Sequence, residues 1–361
     1  MNIYFVLEHV SGRGGVETVM KSVTTELVRL GHRVVVFLPD ASDNIEWELT
    51  MPEVYYYFKS KVSINNRFEL ISEKARSFSF YLSNFQPPDI IIGTHVPHTT
   101  FYSRMAIGYS PKSKIPVISW LHNPPGTFYD SHLINYADLH FAISQGILSD
   151  IKSIVNSDNV YWISNPIIET SQRIEQSSEI TFLAISRLEN KQKRIDVLLK
   201  ALSQFTKPWN LRIFGTGPDE EILKNMATNI GIAENVTWEG WRNDPWKEIN
   251  NATALVLSSD YEGYGLVIGE SMARGLPVIS SDCHAGPRDL IEPGLNGFLF
   301  QPGEVNKLTQ CFEKISDLSN HEWRDMSNAA LITAKSHSTK KLLHKWKRAL
   351  IEFIPEDRWN F

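Results

Sequence analysis

Cysteine is almost missing from this chain. There are two in 361 residues, Cys283 and Cys311. Two thiols build neither a disulfide framework nor a thiolate metal cluster, and they suit a reducing cytosol. Apolar runs are short: none reaches the ~18 residues that a membrane-crossing helix needs. Positive charge is not in excess, the formal net charge being −5. A nucleic-acid binder would need surplus Lys and Arg to neutralise phosphates. The N-terminus, M-N-I-Y-F-V-L, enters an apolar run directly, with no basic region or cleavage site to suggest a signal peptide. Low-complexity tracts and repeats of about 20 to 50 residues are absent as well.

What is present is a globular composition, with 42% hydrophobic and 21% charged residues. A chain this long exceeds one ordinary core and suggests two domains of about 150 to 180 residues. Short apolar runs alternate with amphipathic stretches, the pattern of βα units on a parallel sheet. Strands are expected at Ile3–Leu7, Val34–Leu38, Asp89–Gly93, Pro116–Leu121 and Leu139–Ser144. A second series runs through Thr181–Ser186, Leu211–Gly215, Asn235–Glu239, Thr253–Ser258, Pro277–Ser281 and Gly297–Phe300. Helices are expected at Gly15–Leu30, Leu70–Asn84 and Ile195–Leu202.

The polar, aperiodic stretch 166–179 reads as a linker between domains 1–165 and 180–337. The tail 338–361 alternates apolar and basic residues at helical spacing, to pack on the body or lie on a membrane surface. Ten Trp and eighteen Phe can serve cores, or include a sugar-stacking or membrane-surface set. The fold expected is α/β, two doubly wound domains with a cleft between them. Ligands in such sheets bind beyond the carboxyl ends of the strands.

The loops at those strand ends hold the candidate chemistry. E-H-V-S-G-R-G-G-V-E-T after the first strand places Gly12, Gly14 and Gly15 ahead of a helix, as an anion site or a tight turn. It is not G-x-G-x-x-G, since Glu17 stands where the last glycine is required, and it has no P-loop lysine. Asp40, after the second strand, is the one feature that suits a dinucleotide site.

R-L-E-N-K-Q-K-R after Thr181–Ser186 sets Arg187 and Lys193 at a strand–helix junction, fit for a diphosphate or for a solvated basic loop. G-T-G-P-D-E brings Gly215 to the next strand end. In W-E-G-W-R-N-D-P-W, Trp241 could lie against a base, while Trp246 is open between that role and the core. Y-E-G-Y-G-L-V-I-G-E places Glu262 in a loop and Glu270 early in the following helix. A carboxylate there can accept from a ribose diol, and the N–H groups of Gly263, Tyr264 and Gly265 can meet a sugar or phosphate.

The E-x7-E spacing of Glu262 and Glu270, with Arg187, Lys193 and the glycine-rich first loop, resembles the retaining glycosyltransferases of family 4 over the whole chain. E-x-V-S-G-x-G-G-x-E-T-V, E-G-W and S-S-D-C-x-x-G-P-R-D-L-I-x-P-G-L-N-G are similar to the α-1,6-galactosyltransferases of lipopolysaccharide core. G-P-R-D also resembles some N-acetylgalactosaminyltransferases.

The resemblance implies a GT-B fold, with the nucleotide-sugar mainly on the second domain, the acceptor on the first, and the C-terminal helix crossing back to the first domain. It implies that Arg187 and Lys193 hold the diphosphate, Glu270 the ribose, and Glu262 with the neighbouring amides the donor sugar. Gly14 and Gly15 would approach the phosphate from the other side. His95, in G-T-H-V-P-H-T-T, looks like the family's histidine near the donor sugar and attacking hydroxyl, with His98 as a competitor. His122, in S-W-L-H-N-P-P, is an acceptor-side candidate or a structural histidine, and Glu17 faces the acceptor or solvent.

The implied reaction moves a hexose, galactose first, from a UDP-sugar to a cell-surface glycan such as lipopolysaccharide core or a lipid-linked polysaccharide precursor. The implied mechanism is retaining and needs no metal, consistent with the lack of a D-x-D run or a His/Cys ligand set. Alternatives are an N-acetylhexosaminyl- or glucosyltransferase of the same family, a nucleotide-sugar 2-epimerase, a phosphorylase with pyridoxal phosphate, or a silent sugar-binding subunit. The expected place is the cytoplasm, with contact to the inner face of the membrane through the tail and the S-P-K-S-K loop at 110–114.

Overall fold

The computed structural model describes residues 1–58, 66–108 and 115–359. The S-P-K-S-K loop lies outside them. The chain divides into two compact units, one made of Met1–Pro166 with Thr339–Phe361, the other of Ile167–Ser338.

The first unit is built on a seven-stranded sheet: β1 (Asn2–Val6), β2 (Arg33–Leu38), β3 (Val54–Tyr56), β4 (Ile90–His95), β5 (Val117–Leu121), β6 (Leu139–Ala142) and β7 (Val160–Trp162). The order is β3-β2-β1-β4-β5-β6-β7 and every pair is parallel. A parallel sheet is covered on both faces, which is why β2 and β4 read as unbroken apolar runs and not as alternation. Helices α1 (Gly15–Arg29), α2 (Ile45–Glu48), α3 (Arg67–Leu82), α4 (Pro97–Ile107) and α5 (Gln145–Ile154) connect the strands. In α1, Val19, Met20, Val23 and Leu27 recur at helical spacing and are buried. Asn66 caps α3, its side chain accepting from the N–H groups of Phe68 and Glu69 at 2.9 and 3.2 Å.

The second unit starts with β8 (Glu175–Gln176), which pairs in parallel with β12 (Asn251–Ala252). Its main sheet holds β9 (Thr181–Ile185), β10 (Asn210–Phe214), β11 (Val236–Gly240), β13 (Ala254–Leu257), β14 (Val278–Ser281) and β15 (Gly297–Phe300). The order is β11-β10-β9-β13-β14-β15, again all parallel. Seven helices follow in chain order: α6 (Asn190–Lys193), α7 (Ile195–Gln204), α8 (Glu220–Asn229), α9 (Leu266–Met272), α10 (Pro287–Leu290), α11 (Val305–Ser316) and α12 (Asn320–Ser336). A capping box at Ser319 and Glu322 starts α12.

The last helix, α13 (Thr339–Leu350), belongs to the first unit. Its Trp346 meets Trp120 edge-on, with ring centroids 5.1 Å apart, and lies 5.1 Å from Phe141. Leu342, Leu343 and Leu350 are buried with it, so the apolar face of the tail goes into the core.

Three features differ from the sequence reading. The tail helix does not run through 361 but stops at Leu350, ahead of Pro355 and a short 3-10 turn at Glu356–Arg358. The polar stretch read as a linker is anchored in the second unit. Ile167 and Ile174 are buried, and Glu175–Gln176 forms β8. Strands β3, β7, β8 and β12 are two or three residues long and too brief to leave a pattern.

Both main sheets reverse direction of strand addition at one place. In the first unit this lies between β1 and β4, and in the second between β9 and β13. Loops leaving adjacent strands there diverge to opposite faces and leave a crevice at the carboxyl ends. The loops after β1, β4, β9 and β13 carry most of the candidate residues, while His122, Gly215 and Trp241 follow β5, β10 and β11.

Candidate active site

In the second unit, backbone bonds zip the loops after β9 and β10 together. Ser186 N–H donates to Phe214 O at 3.0 Å and Leu188 N–H to Thr216 O at 3.0 Å. Gly215 makes this possible. Its φ is +132°, and a Cβ there would stand 1.9 Å from Ser186 O. Arg187 leaves this junction with its side chain 69% exposed and its guanidinium 3.3 Å from Glu189.

Lys193 closes α6 and is held more firmly. Its Nζ donates to Glu262 Oε1 at 2.7 Å, and the two side chains are only 19% and 9% exposed. Ser259 Oγ donates to the same carboxylate oxygen at 2.6 Å. The loop after β13 is stitched to α6 by Ser258 Oγ, which donates to Lys193 O at 2.9 Å, and by Asp260 N–H to Gln192 O at 2.8 Å. Arg194, left-handed at φ +46°, grips Asp260 with one nitrogen at 3.1 and 3.0 Å. Lys193 and Glu262, 69 residues apart in sequence, thus form one charged pair at the switch point. Gly265 starts α9 at φ +75°. Gly263 is half-buried beside it and Tyr264 is buried.

Glu270 sits in α9 inside a closed hydrogen-bond circuit. Trp246 Nε1–H donates to its Oε2 at 2.9 Å. Arg274 stacks 4.6 Å over the Trp246 ring and donates to Glu270 O at 2.9 Å and Gln172 Oε1 at 2.9 Å. Gln172 returns a bond to Trp246 O at 2.7 Å. Burial pushes the Glu270 carboxyl above its ordinary pKa, against the pull of the Trp246 bond. Trp246 is buried and yet faces the site, whereas Trp241, just past β11, is 51% exposed. Among the described residues no group of three or more His, Cys, Asp or Glu is placed to hold a metal ion.

In the first unit, Gly14 is the N-cap of α1 and Gly15 its exposed first residue. Glu17 faces neither solvent nor a ligand-sized space. It is buried, and its Oε1 accepts from Gly12 N–H at 3.0 Å and Ser11 Oγ at 3.1 Å. A Cβ on Gly14 would lie 2.6 Å from Glu17 Oε2, so the glycine leaves room for the brace.

His122 is also internal: buried, 3.0 Å from Thr94 Oγ1, and 4.5 Å ring to ring from Trp120. Burial pulls its pKa down to about 3. These contacts are those of a packed ring, in keeping with the structural reading of His122.

His95 ends β4 at φ +78°, one of two non-glycine residues at positive φ among those described. It is half-buried, and its Nδ1 has no hydrogen-bond partner among the described residues. Burial pushes its pKa down, so the ring is neutral. His98 has both ring nitrogens engaged with carboxylates.

Two doubly wound parallel sheets in one chain are the framework of the GT-B class, to which the sugar-transferring enzymes of this fold belong. The family Glycosyl transferases group 1 matches residues 168–331, and Glycosyltransferase Family 4 matches residues 13–170. The chain is 33% identical to the lipopolysaccharide 1,6-galactosyltransferase of Salmonella typhimurium (strain LT2) over 315 residues, which cover 85% of this chain and 87% of that protein. This chain therefore belongs to the family 4, group 1 glycosyltransferases.

Among solved structures, the lipopolysaccharide outer core galactosyltransferase WaaB in its apo form superposes with a TM-score of 0.85. It is 28% identical, and the match covers 98% of this chain and 100% of WaaB. Anabaena HepE in complex with UDP shares the fold at a TM-score of 0.81 and 19% identity, over 98% of this chain and all of HepE.

Proposed function

We propose that this glycosyltransferase moves galactose from UDP-galactose to a glycan of lipopolysaccharide core or of a lipid-linked polysaccharide precursor, with retention of configuration and without a metal ion. The observation that carries the reading is the Lys193–Glu262 pair beside Arg187 at the second unit's switch point. When the sugar–phosphate bond breaks, charge gathers on the β-phosphate, and cations fixed beforehand stabilise it most. Lys193 is such a cation, held by Glu262, and the exposed Arg187 would exchange its Glu189 partner for the diphosphate. Glu270 has Oε2 taken by Trp246 and offers Oε1 to a ribose hydroxyl. Gly263, Tyr264 and Gly265 turn their amides, with Glu262, toward the donor sugar.

The acceptor binds on the first unit, with Gly14 and Gly15 near the phosphates and His95 at the donor sugar and the attacking hydroxyl. The departing phosphate takes the hydroxyl proton on the face it leaves, so retention needs no protein nucleophile. An acceptor of that kind is assembled at the inner face of the membrane, and we infer that the enzyme works in the cytoplasm, peripheral to that face. The described residues contain no helix long and apolar enough to cross a membrane.

The test is UDP release in a panel of UDP-, GDP- and ADP-sugars with lipopolysaccharide core as acceptor, followed by linkage analysis of the product. UDP-galactose should be preferred over UDP-glucose and UDP-N-acetylhexosamines, the new linkage should be α, and EDTA should leave the rate unchanged. Strict dependence on added Mg²⁺ or Mn²⁺, or a β-linked product, would overturn the mechanism. Preference for UDP-N-acetylgalactosamine, in line with G-P-R-D, would overturn the donor.

A further inference from the structure

At its own switch point the first unit holds a buried charged cluster that the proposed transfer does not use. Glu8 follows β1, His98 lies in the first turn of α4, and Asp130 precedes a 3-10 helix at Ser131–Tyr136. His98 Nδ1–H donates to Asp130 Oδ2 at 2.7 Å and Nε2–H to Glu8 Oε2 at 2.9 Å. An imidazole that donates from both nitrogens is a cation. The other charged and titratable groups around it are Lys74 and Arg67 of α3 and Tyr102 of α4. Lys74 pairs with Glu8, Arg67 lies 3.4 Å from Asp130, and Tyr102 donates to Glu8 at 3.3 Å. His95 stands at the adjoining strand end.

A cation in the first turn of a helix opposes the helix dipole, so this ring must be retained by its partners. What it holds is an under-secured turn. Val96 caps α4 with no side-chain bond, and His95 just before it keeps a backbone conformation that non-glycine residues rarely adopt. The turn is also tied by Thr99, whose N–H donates to Val96 O at 3.3 Å and whose Oγ1 donates to Val96 O at 2.6 Å and Thr94 O at 3.0 Å.

We propose that His98, clamped as a cation between Glu8 and Asp130, is a positioning residue for glycosyl transfer, fixing the first turn of α4 and so holding His95 in its left-handed conformation at the end of the sheet. The proposal rests on the reading of His95 as the histidine at the donor sugar. The two carboxylates raise the His98 pKa despite its burial, while His98 and Lys74 draw Glu8 down to about 2. The clamp therefore persists to higher pH than a free imidazole would allow and opens on the alkaline side, when the ring loses a proton and one carboxylate loses its donor.

The experiment uses the full chain with ¹⁵N-labelled histidine, comparing the parent with Asp130→Asn. In the parent, both His98 nitrogens should carry protons at pH 7 by NMR. In Asp130→Asn the ring should titrate at lower pH and the His95 ring resonances should shift. With UDP-galactose and lipopolysaccharide core, kcat should fall about tenfold with KM within about twofold, and the alkaline limb of kcat should move with the His98 titration. A neutral His98 at pH 7 in the parent would overturn the proposal. So would an unchanged kcat profile in a variant whose His98 titration has moved, or parallel loss of kcat, KM and melting temperature. If the parent releases no UDP from any UDP-sugar, the transfer reading fails and takes the positioning role with it; with transfer intact, unshifted His95 resonances in Asp130→Asn refute the positioning role alone.

Discussion

Replacing Lys193 by alanine should damage turnover and stability by separable amounts. The Lys193 and Glu262 side chains are 19% and 9% exposed, so the truncation strands a carboxylate away from water. Breaking a fully buried pair costs about 3–5 kcal/mol. Here Ser259 still donates to Glu262 and the lysine end reaches solvent, which brings the cost to about 2 kcal/mol. For a unit of this size that lowers the second unit's melting temperature by about 4–8 °C. Turnover should fall about 10²–10³-fold, the usual effect of deleting one preorganised donor to transition-state charge.

The double variant Lys193→Ala with Glu262→Gln separates the two effects. Removing the stranded charge should restore most of the melting temperature and none of the turnover. Calorimetry and UDP release at saturating UDP-galactose read the two quantities. Recovered turnover in the double variant, or a single variant within threefold of the parent, would refute the assignment of Lys193 to the leaving diphosphate.

Trp246→Phe keeps the ring but removes the N–H that Glu270 accepts; KM for UDP-galactose should rise about 5–10-fold, worth about 1 kcal/mol, with kcat within twofold in steady-state assays. Gly215→Ala forces a Cβ against Ser186 O at a φ of +132° and should cost at least about 2 kcal/mol in urea unfolding, with loss of UDP-induced thermal stabilisation. Acid should destabilise the first unit. His122 is held down to about 3 and His140 to about 4 by burial, so each takes its proton in the unfolded chain at a higher pH than in the folded one. Their stability contribution is complete above about pH 6.5 and is lost as pH falls toward those values. The first unit's thermal transition should drop between pH 7 and 5, and His122→Gln should flatten that drop.

The main strands were legible because parallel sheets demand long apolar runs, and R-V-V-V-F-L or I-I-I-G-T-H allows little else. Loop chemistry that repeats after successive strands singled out Lys193 and Glu262, which the fold brings into contact; the family resemblance is what grouped Arg187 and Glu270 with them. Trp246 was not legible: its indole meets Glu270 from 24 residues away, and nothing in W-R-N-D-P-W separates a core tryptophan from one that orients a carboxylate. Glu17 looked like a surface helix position because only the fold of Ser11 and Gly12 back over α1 buries it. The Glu8–His98–Asp130 cluster draws on three loops with no fixed spacing, so it becomes visible only when the sheet order brings β1 beside β4.

The split of the first unit between residues 1–166 and 339–361 has a consequence for synthesis. As the chain leaves a ribosome, about 170 residues of the second unit emerge before α13 does. At ~5–20 residues per second, the amino-terminal sheet waits roughly 10–35 seconds for the helix that completes it. During that interval the place of Trp346, beside Phe5, Trp120 and Phe141, is open and apolar. The unit translated first is therefore finished last. A nonsense or frameshift change in the codons for 339–361 strikes the core of the first unit and leaves the second unit's own residues intact.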